Sequence, residues 1–317
     1  MSDDPTVSVV IPTYDRAHVV GRAVASVLRQ DWNDLELIVV DDGSADGTRA
    51  VLEAFDDDRL QYVTSAHVGA AEARNIGARR ARARWLTFLD SDDTVARDWL
   101  SSLLAETALA GTALVSCGYE ERVEGSDVVR RRPLPRPASP SVGPIVALIE
   151  TGGSYLLDRE LFLEIGGFDP EQRAAQHQEL ALRLGPTLVE RGLRCGVVMR
   201  PLVERWIGRG DNIRADDAAV LAGTLRILDR HRARLELDRP LLANTAATAV
   251  YRAVRLGRFA DARRCALTAV RADPRNLRHW ARFGALIAPR TARRHAVRPR
   301  GDEAPPTGGP CDHASSQ

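Results

Sequence analysis

Short apolar runs without polar alternation recur through the first third of the chain, each followed by a stretch of helical period. Val7 to Ile11 and Leu35 to Val40 have the composition of strands buried on both faces, with Pro12 ending the first, and Leu60 to Val63 and Trp85 to Leu89 read as a short third strand and a fourth. Between the first two, Val20, Ala23, Val24, Val27 and Leu28 fall on one helical face, with Asp15 placed to cap it. Asp46 is placed to cap a second helix, Thr48 to Phe55, and Gly69 to Arg82 reads as an Ala/Arg-rich third. A helix over Arg97 to Leu109 and a strand over Ala113 to Cys117 complete the series. Alternation at this spacing calls for βαβ units: an α/β fold on a mixed, mostly parallel sheet flanked by helices.

The remaining two thirds divide by pattern. Pro133 to Pro144, rich in Pro, Ser and Arg, reads as an irregular connection. A second region from Ile145 to Asn212 carries Gly166-Gly167-Phe168-Asp169, a helix around Glu179 to Arg191 and a strand over Leu193 to Val198. From Asp216 the pattern is helical, and Tyr251 to Asn276 resembles one tetratricopeptide-like helix pair turning at Gly257 and closed by Asp273-Pro274. One such pair cannot bury its own face, so it should pack on the helices before it. The expected organisation is a domain over 1–212, with halves 1–118 and 145–212, a helical extension over 213–288 and a disordered tail over 289–317.

Composition excludes several functions. A net charge of +1 provides no global field for nucleic acid. All basic side chains are arginine, so neither a Schiff-base lysine nor a phosphate-loop lysine is available. Cys117, Cys195, Cys265 and Cys311 lack CxxC spacing and read as free thiols of a reducing compartment. The first residues are acidic rather than basic, and no apolar run approaches the roughly 20 residues that span a bilayer. These features point to a soluble, cytoplasmic protein.

In an open parallel sheet, ligands bind beyond the carboxyl ends of the strands. Three such ends here carry Pro12-Thr13-Tyr14, Asp41-Asp42-Gly43-Ser44 and Asp90-Ser91-Asp92-Asp93, and the glycine-rich turn of a dinucleotide fold is absent. Carboxylates this crowded need a cation or hydrogen-bond donors. A hard ion such as Mg²⁺ or Mn²⁺, held by one or two aspartates and otherwise by water and phosphate, suits them, with the task of easing a diphosphate's departure. Taken singly, each acidic run also reads as a turn and a helix cap.

VSVVIPTYDR, ELIVVDDGSADGT, AEARNIGARRA, WLTFLDSDD and IGGFDP, in this order over residues 5 to 210, resemble family 2 glycosyltransferases of the GT-A fold. The resemblance implies a nucleotide-sugar donor and inverting transfer to an acceptor hydroxyl. By position, Pro12 and Tyr14 would line the nucleoside pocket, Asp41 would bind the base and Arg74 would hold the nucleotide. Asp90 would sit by the ribose or donor and Asp92 would ligate the metal, while Asp93 suits capping as well as function. The alternative for Arg74 is a solvated helix face, as read for Arg79, Arg80, Arg82 and Arg84.

The second half departs from the family pattern. Where an aspartate serves as general base, the chain reads Gln176-His177-Gln178-Glu179, which places His177 there, with Glu179 or Asp169 as substitutes. Arg205 or Arg209 would meet the diphosphate or else face solvent, and Trp206 reads as core. Two other classes stay open: a binding or scaffold protein that keeps the donor site without the base, and a nucleotidyltransferase. The acceptor is equally open among glycan, lipid carrier, protein and small metabolite. The Arg290 to Arg300 stretch suits either peripheral contact with anionic lipid or a solvated tail.

Overall fold

The computed structural model describes residues 4–126, 128–131, 134, 149, 151–207 and 216–287. The connection expected over Pro133 to Pro144, Arg209 and the tail beyond Pro289 lie almost wholly outside them.

Strands β1 (Val7–Thr13), β2 (Leu35–Asp41), β3 (Leu60–Thr64) and β4 (Trp85–Phe88) lie in the order β3-β2-β1-β4, all parallel. The burial of β1, β2 and β4 on both faces follows from their composition, while the edge strand β3 is only part-buried. Val7, Val9 and Ile11 join one core with helix α1 (Val20–Leu28), while Val10 joins the core on the other face with helix α3 (Ala70–Arg80). Gly77 makes this second contact possible, since a Cβ there would stand 2.3 Å from Val10 Cγ1.

Beyond β4 the sheet turns mixed. β8 (Tyr155–Asp158) runs antiparallel to both β4 and β6 (Thr112–Val123), and β9 (Arg194–Ile207) runs parallel to β6. The short strands β5 (Thr94–Val95) and β7 (Val129–Arg131) add antiparallel edges. β6 and β9 extend well past the strands expected at Ala113 to Cys117 and Leu193 to Val198. Their distal halves carry Glu120, Glu121, Arg122, Glu204 and Arg205, so mutual pairing rather than apolar pattern holds them.

Helix starts also differ from expectation. The first helix begins at Val20 without a side-chain cap. Asp15, at a left-handed φ of 49°, joins two strand-end loops instead: its amide donates to Ser44 Oγ at 2.8 Å, and its carboxylate accepts from Ala45 N at 2.8 Å. Asp46 does hold the start of α2 (Thr48–Glu53), accepting from Thr48 N at 2.9 Å.

A third core gathers the helices from residue 217 onward. The pair read around Gly257 consists of Arg239–Arg255 and Phe259–Ala272, packed with Asp217–Arg230 before it. Leu182 belongs to this core, so the helix Gln176–Glu190 couples the extension to the sheet. Among the described residues no helix is long and apolar enough to cross a membrane.

Candidate active site

β2 and β4 flank β1 in parallel, so the acidic runs that follow them emerge at one edge of the sheet. On the β2 side, Asp41 is buried and accepts from Ser44 N at 2.9 Å and from Tyr62 Oη at 2.8 Å. Burial, then this carboxylate, pushes the Tyr62 hydroxyl up to about 12. Asp42 accepts from Ser65 Oγ, Val68 N and Gly69 N, each at 2.7 Å. Asp42 therefore builds the 65–69 loop. That loop presents His67, at φ 54°, to the half-exposed Tyr14, with ring centroids 4.4 Å apart. Pro12 is buried in β1 opposite Val40 and backs this wall from within the sheet. Thr13 adds a buried hydroxyl without a hydrogen-bond partner.

The Asp90–Asp93 turn is held from two sides. Arg22 Nη2 donates to Asp92 O at 2.8 Å, and Trp206 N donates to Asp93 Oδ1 at 3.2 Å. Asp93 thus ties the turn to β9 and caps no helix. Trp206 is half-buried at the same edge, with the Arg22 guanidinium 4.8 Å over its ring, and is not core. Burial and then Asp90 raise Asp92 above its ordinary value, and burial followed by Asp92 and Asp90 raises Asp93 well above its own. Arg16, Arg22 and Arg205 offset this negative charge only in part.

That excess charge bears on metal binding. Among the described residues no group of three or more His, Cys, Asp or Glu side chains could hold an ion. Among the described residues no side chain bonds the Asp92 carboxylate, in contrast to Asp41, Asp42 and Asp90. One carboxylate whose charge Arg16 and Arg22 offset only in part, beside two others, fits a divalent ion that takes its remaining ligands from water and a diphosphate.

Arg74 is buried, not on a solvated face. Nη2 donates to Asp90 Oδ1 at 2.5 Å, Nη1 donates to Gln176 Oε1 at 2.6 Å, and the guanidinium stands 5.5 Å from the Phe168 ring centroid. Burial pushes the Asp90 carboxyl up, but Arg74, and more weakly Arg205, holds it below the usual range. Arg205 is also buried, ion-paired with Glu121 at 3.1 Å and 5.1 Å from the Tyr119 centroid, so neither solvent-facing nor unpaired. His177 stands in this group, its Nδ1 3.0 Å from Tyr155 Oη and its ring edge-to-face with Phe168 at 5.4 Å. Burial and then Arg74 bring its pKa down to about 3 against the opposing pull of Asp90.

The two substitute bases are engaged elsewhere. Glu179 is buried and binds Arg183 (2.7 Å) and His231 (3.1 Å), and Asp169 binds Arg226 (3.0 Å) and Arg230. Both carboxylates connect the helix Gln176–Glu190 region to the extension, so a role as base does not suit either.

Some members of the site gave no motif. Tyr155, Gln176 and Arg22 reach it only through strand pairing and helix packing. Gly152 did carry a signal, as the middle of Thr151-Gly152-Gly153-Ser154: a Cβ there would lie 3.0 Å from both Asp90 N and Asp90 Oδ1.

Comparison with known proteins follows the same lines. The family model described as "Glycosyl transferase family 2" matches residues 8–166, half of the chain. An Escherichia coli protein named UDP-Glc:alpha-D-GlcNAc-diphosphoundecaprenol beta-1,3-glucosyltransferase WfgD is 39% identical over 103 residues, which cover 32% of this chain and 39% of that protein. The match thus spans well under half of the relative. Among solved structures, S. aureus TarS 1–349 in complex with UDP-GlcNAc superposes with a TM-score of 0.63 at 15% identity, covering 91% of this chain and 88% of that one. Mannosyltransferase PcManGT from Pyrobaculum calidifontis, in complex with GDP-Man and Mn²⁺, gives 0.55 at 22% identity, covering 90% and 85%. These likenesses show the fold. Gln176 to Arg183, where the chain departs from the family pattern, lies beyond the matched segment.

Proposed function

Given that the chain belongs to glycosyl transferase family 2, we propose that it transfers a sugar from a nucleoside-diphosphate donor to an acceptor hydroxyl with inversion at the anomeric carbon. The observation that carries this reading is the convergence of Arg74, Asp90, Arg205 and His177 on the Asp90–Asp93 turn, where Asp92 has no side-chain hydrogen bond among the described residues.

Tyr14 and His67 form a ring-lined wall suited to a nucleobase, with Asp41 behind it at the end of β2. Arg74 orients Asp90 toward the donor, and Arg74 and Arg205 together add positive potential where a diphosphate accumulates charge. Asp92 would hold a Mg²⁺ or Mn²⁺ ion, which when bound supplies Lewis-acid stabilisation of the leaving diphosphate. In the displacement the acceptor oxygen bonds to the anomeric carbon as the bond to the diphosphate breaks, its electron pair leaves with the diphosphate, and the acceptor proton passes to a base or to solvent water. His177, on the Gln176–Glu190 helix, marks the acceptor side.

The acceptor remains one of glycan, lipid carrier, protein or small metabolite. Some relatives are named for undecaprenyl-diphosphate-linked acceptors, which makes a lipid-linked sugar the first to try and peripheral contact at the inner membrane face its corollary. A panel of UDP-, GDP- and dTDP-sugars incubated with Mn²⁺, scored for nucleoside diphosphate release with and without such an acceptor, tests the proposal. Binding of nucleoside diphosphates without turnover of any donor would replace it with the binding-protein reading.

A further inference from the structure

Tyr155 and His177 form a pair that the reaction as described above does not use. Tyr155 lies in the middle of the sheet, where β8 pairs with both β4 and β6, and is fully buried. Its hydroxyl has one hydrogen-bond partner among the described residues, His177 Nδ1 at 3.0 Å. A buried hydroxyl that fails to donate loses a hydrogen bond it made to water when unfolded, which biases the arrangement by on the order of tenfold or more. The phenol proton therefore points at Nδ1. A neutral imidazole that accepts at Nδ1 carries its proton on Nε2. Edge-to-face packing with Phe168, at 90° between ring planes, fixes the plane in which that N–H lies. His177 is half-buried, and its Nε2 makes no hydrogen bond among the described residues.

We infer that Tyr155 is a positioning residue that holds His177 in its Nε2–H tautomer, so that His177 meets a substrate oxygen as a hydrogen-bond donor instead of as the base. The inference rests on the transferase reading for the identity of that oxygen, but the tautomer itself does not. Two further features agree. Burial forces the Tyr155 hydroxyl far above its ordinary range, so it stays a neutral phenol, a poorer support for an imidazolium than the carboxylate that commonly orients a histidine base. His177 itself is held neutral by burial, Arg74 and Arg205. The acceptor proton then passes to solvent water or to an oxygen of the departing diphosphate.

The test has two arms on the full chain. Long-range ¹H–¹⁵N correlation on histidine-labelled protein, with His177 assigned from its loss in His177→Gln, should show protonation at Nε2. Tyr155→Phe should erase that preference. Protonation at Nδ1 in the unaltered protein, or an unchanged tautomer in Tyr155→Phe, would overturn the inference. In the second arm, the nucleotide sugar turned over in the panel is assayed with His177→Gln, His177→Asp and His177→Ala. Glutamine offers an N–H near the position of Nε2 but cannot take a proton, and aspartate the reverse. Turnover by His177→Gln should exceed that of His177→Asp by tenfold or more, and the opposite order restores the base. If no nucleotide sugar is turned over at all, the transferase reading fails while the tautomer is still decided by the first arm.

Discussion

Arg74 bridges two segments that the chain keeps far apart, donating from Nη2 to Asp90 Oδ1 at 2.5 Å and from Nη1 to Gln176 Oε1 at 2.6 Å. Only a planar fork reaches both acceptors at once. Arg74→Ala leaves Asp90 without its countercharge and frees Gln176. Loss of charged hydrogen bonds of this kind costs about 1.5–3 kcal/mol, so urea unfolding should show that loss and donor turnover should fall with it. Arg74→Lys, which keeps the charge but not the fork, should recover stability more than turnover.

Asp42 spends its carboxylate on the loop that carries His67. Asp42→Ala leaves the amides of Val68 and Gly69 unpaired, with a cost of about 1–3 kcal/mol by denaturant unfolding. Because Tyr14 then loses the opposed His67 ring, calorimetry should record weaker nucleoside diphosphate binding than stability alone explains.

Gly152→Ala tests close approach. The added methyl must displace Asp90, whose amide and carboxylate both stand 3.0 Å from it. Misplacement of a positioning group by an ångström costs on the order of 10²-fold in rate, so kcat/KM should fall far more than the melting temperature.

The two halves of the fold were unequally legible in sequence. Parallel strands β1, β2 and β4 announce themselves because each is sealed on both faces and must be mostly apolar. Long β6 and β9 hide their distal halves because charged residues there pair with each other: Arg205 with Glu121, and Glu204 with Arg122. Within the site, the aspartates and Arg74 sit in local motifs at strand and helix ends. Tyr155 has no motif, since its contact with His177 depends on an antiparallel strand inserted between β4 and β6. Glu179 misled for a related reason. A carboxylate two residues from His177 looks available, but the helix turns it toward Arg183 and His231.

Asp92→Asn separates metal binding from folding. Burial and the neighbouring Asp90 raise Asp92, so its ionised form opposes folding at neutral pH. Removing that charge should lift the melting temperature of the ligand-free protein by roughly 1–3 °C. The additional rise that Mn²⁺ gives in the presence of UDP should disappear, as a thermal-shift comparison with and without Mn²⁺ will read.

Glu179 predicts an acid limb of stability. Burial pushes its carboxyl up, but hydrogen bonds from His231 and Arg183 outweigh this and bring it from 4.5 to about 2. The folded state therefore binds fewer protons than the unfolded state between these values. Its stabilising contribution is present above the unfolded value and is lost as the pH falls from 4.5 toward 2. Glu179→Gln keeps the shape of the side chain but cannot titrate. It should be less stable than the parent at about pH 6, where the ion pairs are intact, and the gap should narrow by about pH 3. Because Glu179 joins the Gln176–Glu190 helix to His231 of the extension, loosening it should also disturb the placement of His177 at the start of that helix. Urea unfolding at the two pH values reads the first effect, and a fall in turnover greater than the loss of folded protein reads the second. A stability gap that does not change with pH would mean that Glu179 holds the helix by packing alone.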